Sequence, residues 1–159
     1  MEIRPEEPTD FDAIDAVVAA AFGQRDEADL VKRLRALNAY RAFVAVDGDV
    51  VGHVAFTQVA LDPEVGLVLM GLAPLSVRPD AQRKGVGTAL TEHGLASLRG
   101  VADACVVLGS PAYYPRFGFE ARDGLTCVYD VTPEHFMAVE LRPGALAGVR
   151  GVVQYDPVF

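Results

Sequence analysis

The segment that most limits what this chain can fold into is LSVRPDAQRKGVGTAL, Leu75 to Leu90. An apolar, strand-like run passes through Pro79 and a basic turn into Gly85-Val86-Gly87. A helical pattern then runs from Lys84 to Arg99 and ends near Gly100. Strand, glycine turn and helix together make an anion site. The first turn of a helix has several N–H groups without intrahelical partners, and the helix dipole adds positive potential there. Glycine removes the side chain that would hold a phosphate away from those groups. The rest of the chain is acidic, with 14 Lys and Arg against 22 Asp and Glu and a net charge of −8. Arg78, Arg83 and Lys84 stand out against that background.

Two familiar phosphate motifs fail on spacing. A phosphate-loop nucleotidase needs G-x-x-x-x-G-K-[ST], whereas Lys84 precedes its glycine. A dinucleotide turn needs G-x-G-x-x-G, and Leu90 stands where the third glycine belongs.

The order of elements narrows the choice. EIRP reads as a strand, and Thr9, with Asp12 three residues on, is placed to cap a helix. Phe11, Ile14, Val17, Val18, Ala21 and Phe22 give that helix an apolar face, and Gly23 stops it. A second helix is expected over Asp26–Leu37, with Leu30, Val31, Leu34 and Leu37 inward and Arg33 and Arg35 outward. RAFVAVD and VVGHVAFTQVAL, joined at Asp47-Gly48-Asp49, predict a hairpin. LVLMGLAPLSV is a further strand, and ADACVVLG has the all-apolar character of a buried central one. SPAYYPRFG starts a short helix with Pro111 in its first turn. FGFEAR is strand-like, FMAVEL is a clear strand, and one more short strand is expected in the tail. With no internal repeats or linkers, residues 1–159 read as a single α/β domain.

Composition removes several function classes. A pI near 4.8 argues against nucleic-acid binding, which needs a basic face. A hydrophobic fraction of 51% and mean hydropathy of +0.23 argue against disorder. No apolar run approaches the roughly 20 residues that span a bilayer, and MEIRPEEPTDFD lacks the features of a secretory signal, so a cytoplasmic protein without a membrane partner is expected. Cys105 and Cys127 read as small buried hydrophobes, and no cysteine, histidine or carboxylate grouping has metal-ligand spacing.

Gln82-Arg83-Lys84-Gly85-Val86-Gly87 is a Q-x-x-G-x-G turn, and it closely resembles the coenzyme A pyrophosphate turn of the GCN5-related N-acetyltransferase (GNAT) superfamily. The later YYPRFGFEA, in which Tyr114 precedes Gly118-Phe119, resembles that family's terminal Y-x-x-x-G-F segment. The style of GLAPLSVRPDAQRKGVG with PAYYPRFGF is similar to a bacterial branch of predicted N-acetyltransferases. The family's order, β-α-α-β-β-β-α-β-α-β-β, matches the elements read above over nearly the whole chain. The resemblance implies a mixed central sheet whose fourth and fifth strands splay apart to admit the pantetheine arm.

It also implies an acetyl-CoA-dependent transfer of an acetyl group to a primary amine of a small molecule or a protein. No metal is implied, and a homodimer is possible by analogy. The backbone of Leu75, Ser76 and Val77 would hold the pantetheine, with a Leu75 N–H polarising the thioester carbonyl. Pro74, which has no N–H to donate, fits disrupted pairing there. Gln82, Arg83, Lys84, Gly85, Val86, Gly87 and Thr88 would wrap the pyrophosphate. Ser110, Tyr113, Tyr114 and Phe117 would complete the cofactor wall. Tyr114 is the expected general acid for the leaving thiolate. His53, or Glu64 in the turn before the slotted strand, is the candidate base, and water chains are an alternative. His93 reads as a packing residue, and His135 has no constellation around it. The implied acceptor site lies around AFGQRDEADLVKRLRAL and RDGLTCVYDVTPEH. Transfer through an acetylated Cys105 is the less favoured route. A non-catalytic acyl-CoA-binding or sensing module is the alternative outside catalysis.

Overall fold

A computed structural model describes all of residues 1–159. The order is β1 (Glu2–Pro5), α1 (Phe11–Phe22), α2 (Asp26–Leu34), β2 (Arg41–Asp47), β3 (Asp49–Asp62), β4 (Leu69–Val77), α3 (Val86–Leu98), β5 (Ala104–Leu108), β6 (Leu125–Cys127), β7 (Phe136–Glu140) and β8 (Gly151–Gln154). The eight-stranded mixed sheet has the order β1-β2-β3-β4-β5-β7, with β8 paired to β3 and β6 to β8. The chain packs as two compact units. The first comprises Met1–Thr57, Ala73–Gly94 and Val158; the second comprises Gln58–Leu72, Leu95–Pro157 and Phe159.

In the first unit β1 lies antiparallel to β2, from Glu2 opposite Val46 to Pro5 opposite Phe43. The β2–β3 hairpin closes at Asp47 opposite Asp49, with Gly48 at φ +75°, the conformation that the Asp-Gly signal demands. Apolar spacing on α1 and α2 buries Ile14, Val17, Val18, Ala28 and Val31 against Val44 and Val50. Gly23 ends α1 as read, at φ +69° with its N–H donating to the Ala19 carbonyl. The start differs from expectation. A short 3-10 turn over Pro8–Asp10 precedes α1, and Asp10, not Thr9, accepts the Glu7 N–H at 2.8 Å. Arg4 secures that cap, donating to both oxygens of Asp10 at 2.7 and 2.8 Å. The second helix also stops earlier, at Leu34, and Arg35 turns inward.

In the second unit β4 pairs parallel with β5 from Leu69–Ala104 to Gly71–Val106; the strand runs on to Val77, and from Ala73 it belongs to the first unit. β5 is antiparallel to β7, from Ala104 opposite Glu140 to Leu108 opposite Phe136. The end of β3 pairs with β8, and β8 pairs parallel with β6. These strands bury Val59, Leu61, Leu69, Ala104, Val106, Leu125, Phe136, Ala138, Leu146 and Val153 in one cluster. Two local expectations are corrected. The helix in SPAYYPRFG shrinks to a 3-10 turn over Tyr114–Phe117, because Pro115 lacks the N–H an α-helix would need and Gly118 at φ +94° ends the turn. FGFEAR forms a single bridge, Glu120 to Ala138, and the strand appears three residues past it, at Leu125–Cys127.

Candidate active site

The basic turn belongs to the first unit. On β4, Ala73, Leu75 and Val77 are partly exposed while Pro74 and Ser76 are buried. Ser76, expected at the cofactor, is only 1% exposed as a whole residue, and its hydroxyl is buried without a hydrogen-bond partner. Past β4 the Gln82 side chain donates to the Val77 carbonyl at 3.0 Å, closing the turn onto the strand it leaves. Arg83 follows at φ +61°, the one non-glycine residue of the chain in left-handed backbone, and Gly85 at φ +86°. Left-handed residues alternating with right-handed ones turn successive N–H groups toward a common point, an anion-binding nest. A non-glycine residue held there costs of order 1–3 kcal/mol, a strain that clusters at ligand clamps. Nothing lies within 4 Å of where a Cβ on Gly85 would sit, so the surface beside the turn is open. Val86 anchors α3 in the core, Gly87 and Thr88 continue its first turn, and Arg83 and Lys84 are exposed. Arg78 differs from both, since its guanidinium is held by Asp80 at 2.6 Å. These residues fit a pyrophosphate: the alternating backbone is of the kind that aims N–H groups at an anion, two cations are exposed, and there is no side chain to displace.

The tyrosine turn belongs to the second unit. Tyr114 lies against Gly109, where a Cβ would stand 2.3 Å from its ring. The ring also meets Tyr113, Phe119 and Phe117 at centroid distances of 5.1, 5.7 and 6.3 Å. The Ser110 carbonyl accepts the Tyr114 N–H at 3.1 Å, and the Ser110 hydroxyl accepts the N–H of Ala112. Arg116 stacks over the Tyr113 ring at 4.3 Å. Burial, with smaller contributions from Tyr113 and Cys105, pushes the Tyr114 pKa up to about 12. Its hydroxyl is therefore protonated, and a donor, throughout the neutral range. Cys105 has no exposed surface, and burial pushes its thiol well above the ordinary range. That opposes the thiolate which covalent catalysis through this residue would need.

The two candidate bases occupy different settings. Glu64 is exposed in the β3–β4 loop, where its carboxylate accepts the Gly66 N–H. His53 is 0% exposed, with Nε2 held 2.8 Å from Glu6. Glu6 is bound in turn by Arg35 at 3.0 Å and by the Tyr40 hydroxyl at 2.9 Å. Burial holds His53 below its usual pKa against the pull of Glu6, so the ring is neutral and its Nε2–H is the donor to Glu6. Glu6 stays ionised: the bonds from His53 and Arg35 outweigh burial and keep its pKa low. His53 Nδ1 is buried with no partner. Sequence reading missed Glu6, Arg35 and Tyr40, which lie far apart in the chain, and it missed Gly109, whose place directly after an apolar strand was a usable signal. His93 packs its ring on Phe43 at 4.9 Å.

The chain is similar to known acetyltransferases in sequence and in fold. The family model for an acetyltransferase (GNAT) domain matches residues 2–122. The Escherichia coli protein YhbS, called an uncharacterized N-acetyltransferase, is 40% identical over all of this chain and 98% of its own length. Its crystal structure in complex with CoA superimposes with a TM-score of 0.92 at 38% identity, over 99% of this chain and 91% of that one. A GNAT family acetyltransferase from Brucella melitensis, crystallised with acetyl-CoA, gives 0.81 at 37% identity, over 99% and 97% of the two chains. This chain is a member of the GNAT acetyltransferase family.

Proposed function

We propose that this protein transfers the acetyl group of acetyl-CoA to a primary amine by direct attack. The observation that carries the reading is the left-handed Arg83–Gly85 turn opening into α3 with two exposed cations. The similarity to relatives crystallised with CoA and acetyl-CoA supports it. In the proposed step the amine lone pair forms a bond to the thioester carbonyl carbon, the C–S bond breaks, and the electron pair leaves on sulfur. The N–H of Leu75 stabilises the developing oxyanion. Tyr114 donates a hydrogen bond, and then its proton, to the departing sulfur. The amine gives up its proton to water or to Glu64. His53, enclosed behind Glu6, holds the fold beneath.

Thermal unfolding in acetyl-CoA, coenzyme A and longer acyl-CoAs tests the donor. Ligand at a hundredfold excess over its dissociation constant stabilises by about 2.7 kcal/mol, and no shift with any of them refutes the reading. Release of free coenzyme A thiol across an amine library then tests transfer.

A further inference from the structure

The segment from Ala121 to Phe136 encloses a cavity of about 260 Å³ in the second unit. Leu125, Cys127, Tyr129, Val131, Pro133 and Phe136 form an apolar lining, joined by Arg122 and Asp123. The volume falls just below the roughly 300–1,000 Å³ of pockets for drug-sized ligands, so it suits one compact group, not an extended molecule. The lining is held firmly. β6 is paired to β8, and the Tyr129 ring stacks on Tyr155 at 5.4 Å, which in turn packs on Phe159. Tyr129 and Val131 are nonetheless 41% and 37% exposed, so the cavity opens to solvent.

Its position suits an acceptor. Phe136 stands opposite Leu108 in register, and the next residue, Gly109, donates its N–H to the His135 carbonyl at 2.9 Å. Leu108 packs toward the Phe136 cluster, whereas Gly109 faces the Tyr114 ring. Successive residues of a strand point to opposite faces. The cavity and Tyr114 therefore lie on opposite faces of the end of β5. Two substrates that must meet at one carbonyl carbon need separate entrances, and this cavity lies on the face away from the proposed thiolate donor.

Charge selects among amines. From Asp123 to His135 the segment carries Asp123, Asp130 and Glu134 and neither Lys nor Arg. Arg122 is neutralised by Glu120 at 3.2 Å. Arg150, whose guanidinium lies against Gly124 of the lining, is the one cation there without an ion pair, so the three acids still favour an ammonium. Resting on the acetyltransferase reading, we infer that the acceptor is a primary amine bearing one aryl or branched alkyl group, with that group seated among Tyr129, Val131 and Phe136.

The test uses the full chain with saturating acetyl-CoA and two probe amines: phenethylamine and putrescine. Phenethylamine is expected to give a kcat/KM about tenfold or more above putrescine, the scale of discrimination that an apolar pocket provides. Val131→Trp fills the cavity and raises KM for phenethylamine about tenfold or more, while the thermal shift with acetyl-CoA persists. Val131→Ala, at a half-exposed position that folds readily, moves preference from phenethylamine toward tryptamine. Turnover with equal or better use of putrescine overturns the inference alone, as do Val131 variants with unaltered selectivity. Absence of any acyl-CoA shift, or of acetylation of any amine, overturns the acetyltransferase reading and this inference with it.

Discussion

The enclosed His53 predicts how stability responds to mild acid. Its ring is 0% exposed, is packed beside Glu6, Arg35 and Tyr40 with Asp10 near, and has no partner at Nδ1. The folded chain therefore keeps it neutral below its ordinary value of 6.5, whereas the unfolded chain protonates it there. A depressed folded pKa contributes stability that is present above 6.5 and is lost as pH falls. Between about pH 7.5 and about pH 5.5 the unfolded chain takes up nearly one proton at this ring, removing at most about 1.4 kcal/mol. For a chain of this length that is a fall in Tm of about 3–5 °C. The assay is Tm against pH for the wild type and for His53→Gln, which retains an N–H for Glu6 but cannot titrate. His93 and His135 are present in both proteins, so the difference between the curves isolates His53. The wild-type curve should drop across this window relative to the variant. Parallel curves would refute the reasoning. A second loss is expected below 4.5 as Glu6, held low by His53 and Arg35, is protonated against its partners.

Three further perturbations bear on the site and its support. Tyr114→Phe should lower kcat for acetylation about a hundredfold with the acetyl-CoA thermal shift retained; an unchanged rate across pH removes Tyr114 from the chemistry. Gly109→Ala would place a Cβ 2.3 and 2.7 Å from Tyr114 ring atoms, forcing the ring to move. The expected cost is about 1–3 kcal/mol with a parallel loss of kcat, and a fully active variant contradicts the assigned place of Tyr114. Gly94→Ala would set a Cβ 2.3 and 2.4 Å from the buried Phe56 ring. Overpacking of about 1–3 kcal/mol should exceed the roughly 1 kcal/mol gained in helix propensity, so calorimetry should show a lower Tm, and a raised Tm counts against this packing.

Much of the fold is written in local chemistry. Gly23 stops α1, Asp47-Gly48-Asp49 closes the hairpin, and Gln82 to Gly87 turns a strand into a helix. Each depends on what a few consecutive residues permit in φ, ψ and hydrogen bonding, so each is readable from the chain alone. The turn's strand-to-helix form is legible for the same reason: its glycines are adjacent in sequence. Proline and glycine also mislead when counted without their neighbours, as Pro115 did in cutting an expected helix to a 3-10 turn.

Other features are settled only when distant segments meet. Helical spacing marked Arg35 as outward, yet it points inward because Glu6, from the other end of the unit's chain path, supplies a buried carboxylate. No periodicity reveals that a histidine on β3 will share that carboxylate. The parallel pairing of β6 with β8 has no local signature either, and it is this pairing that folds Asp123–His135 around a cavity. Most elements and their turns, the Gln82–Gly87 turn among them, follow from the chain alone, because backbone sterics and capping act over a few residues. The tertiary structure decided which polar groups are desolvated, which partners neutralise them and what space the loops enclose, because burial and charge pairing depend on parts of the chain that only folding brings together.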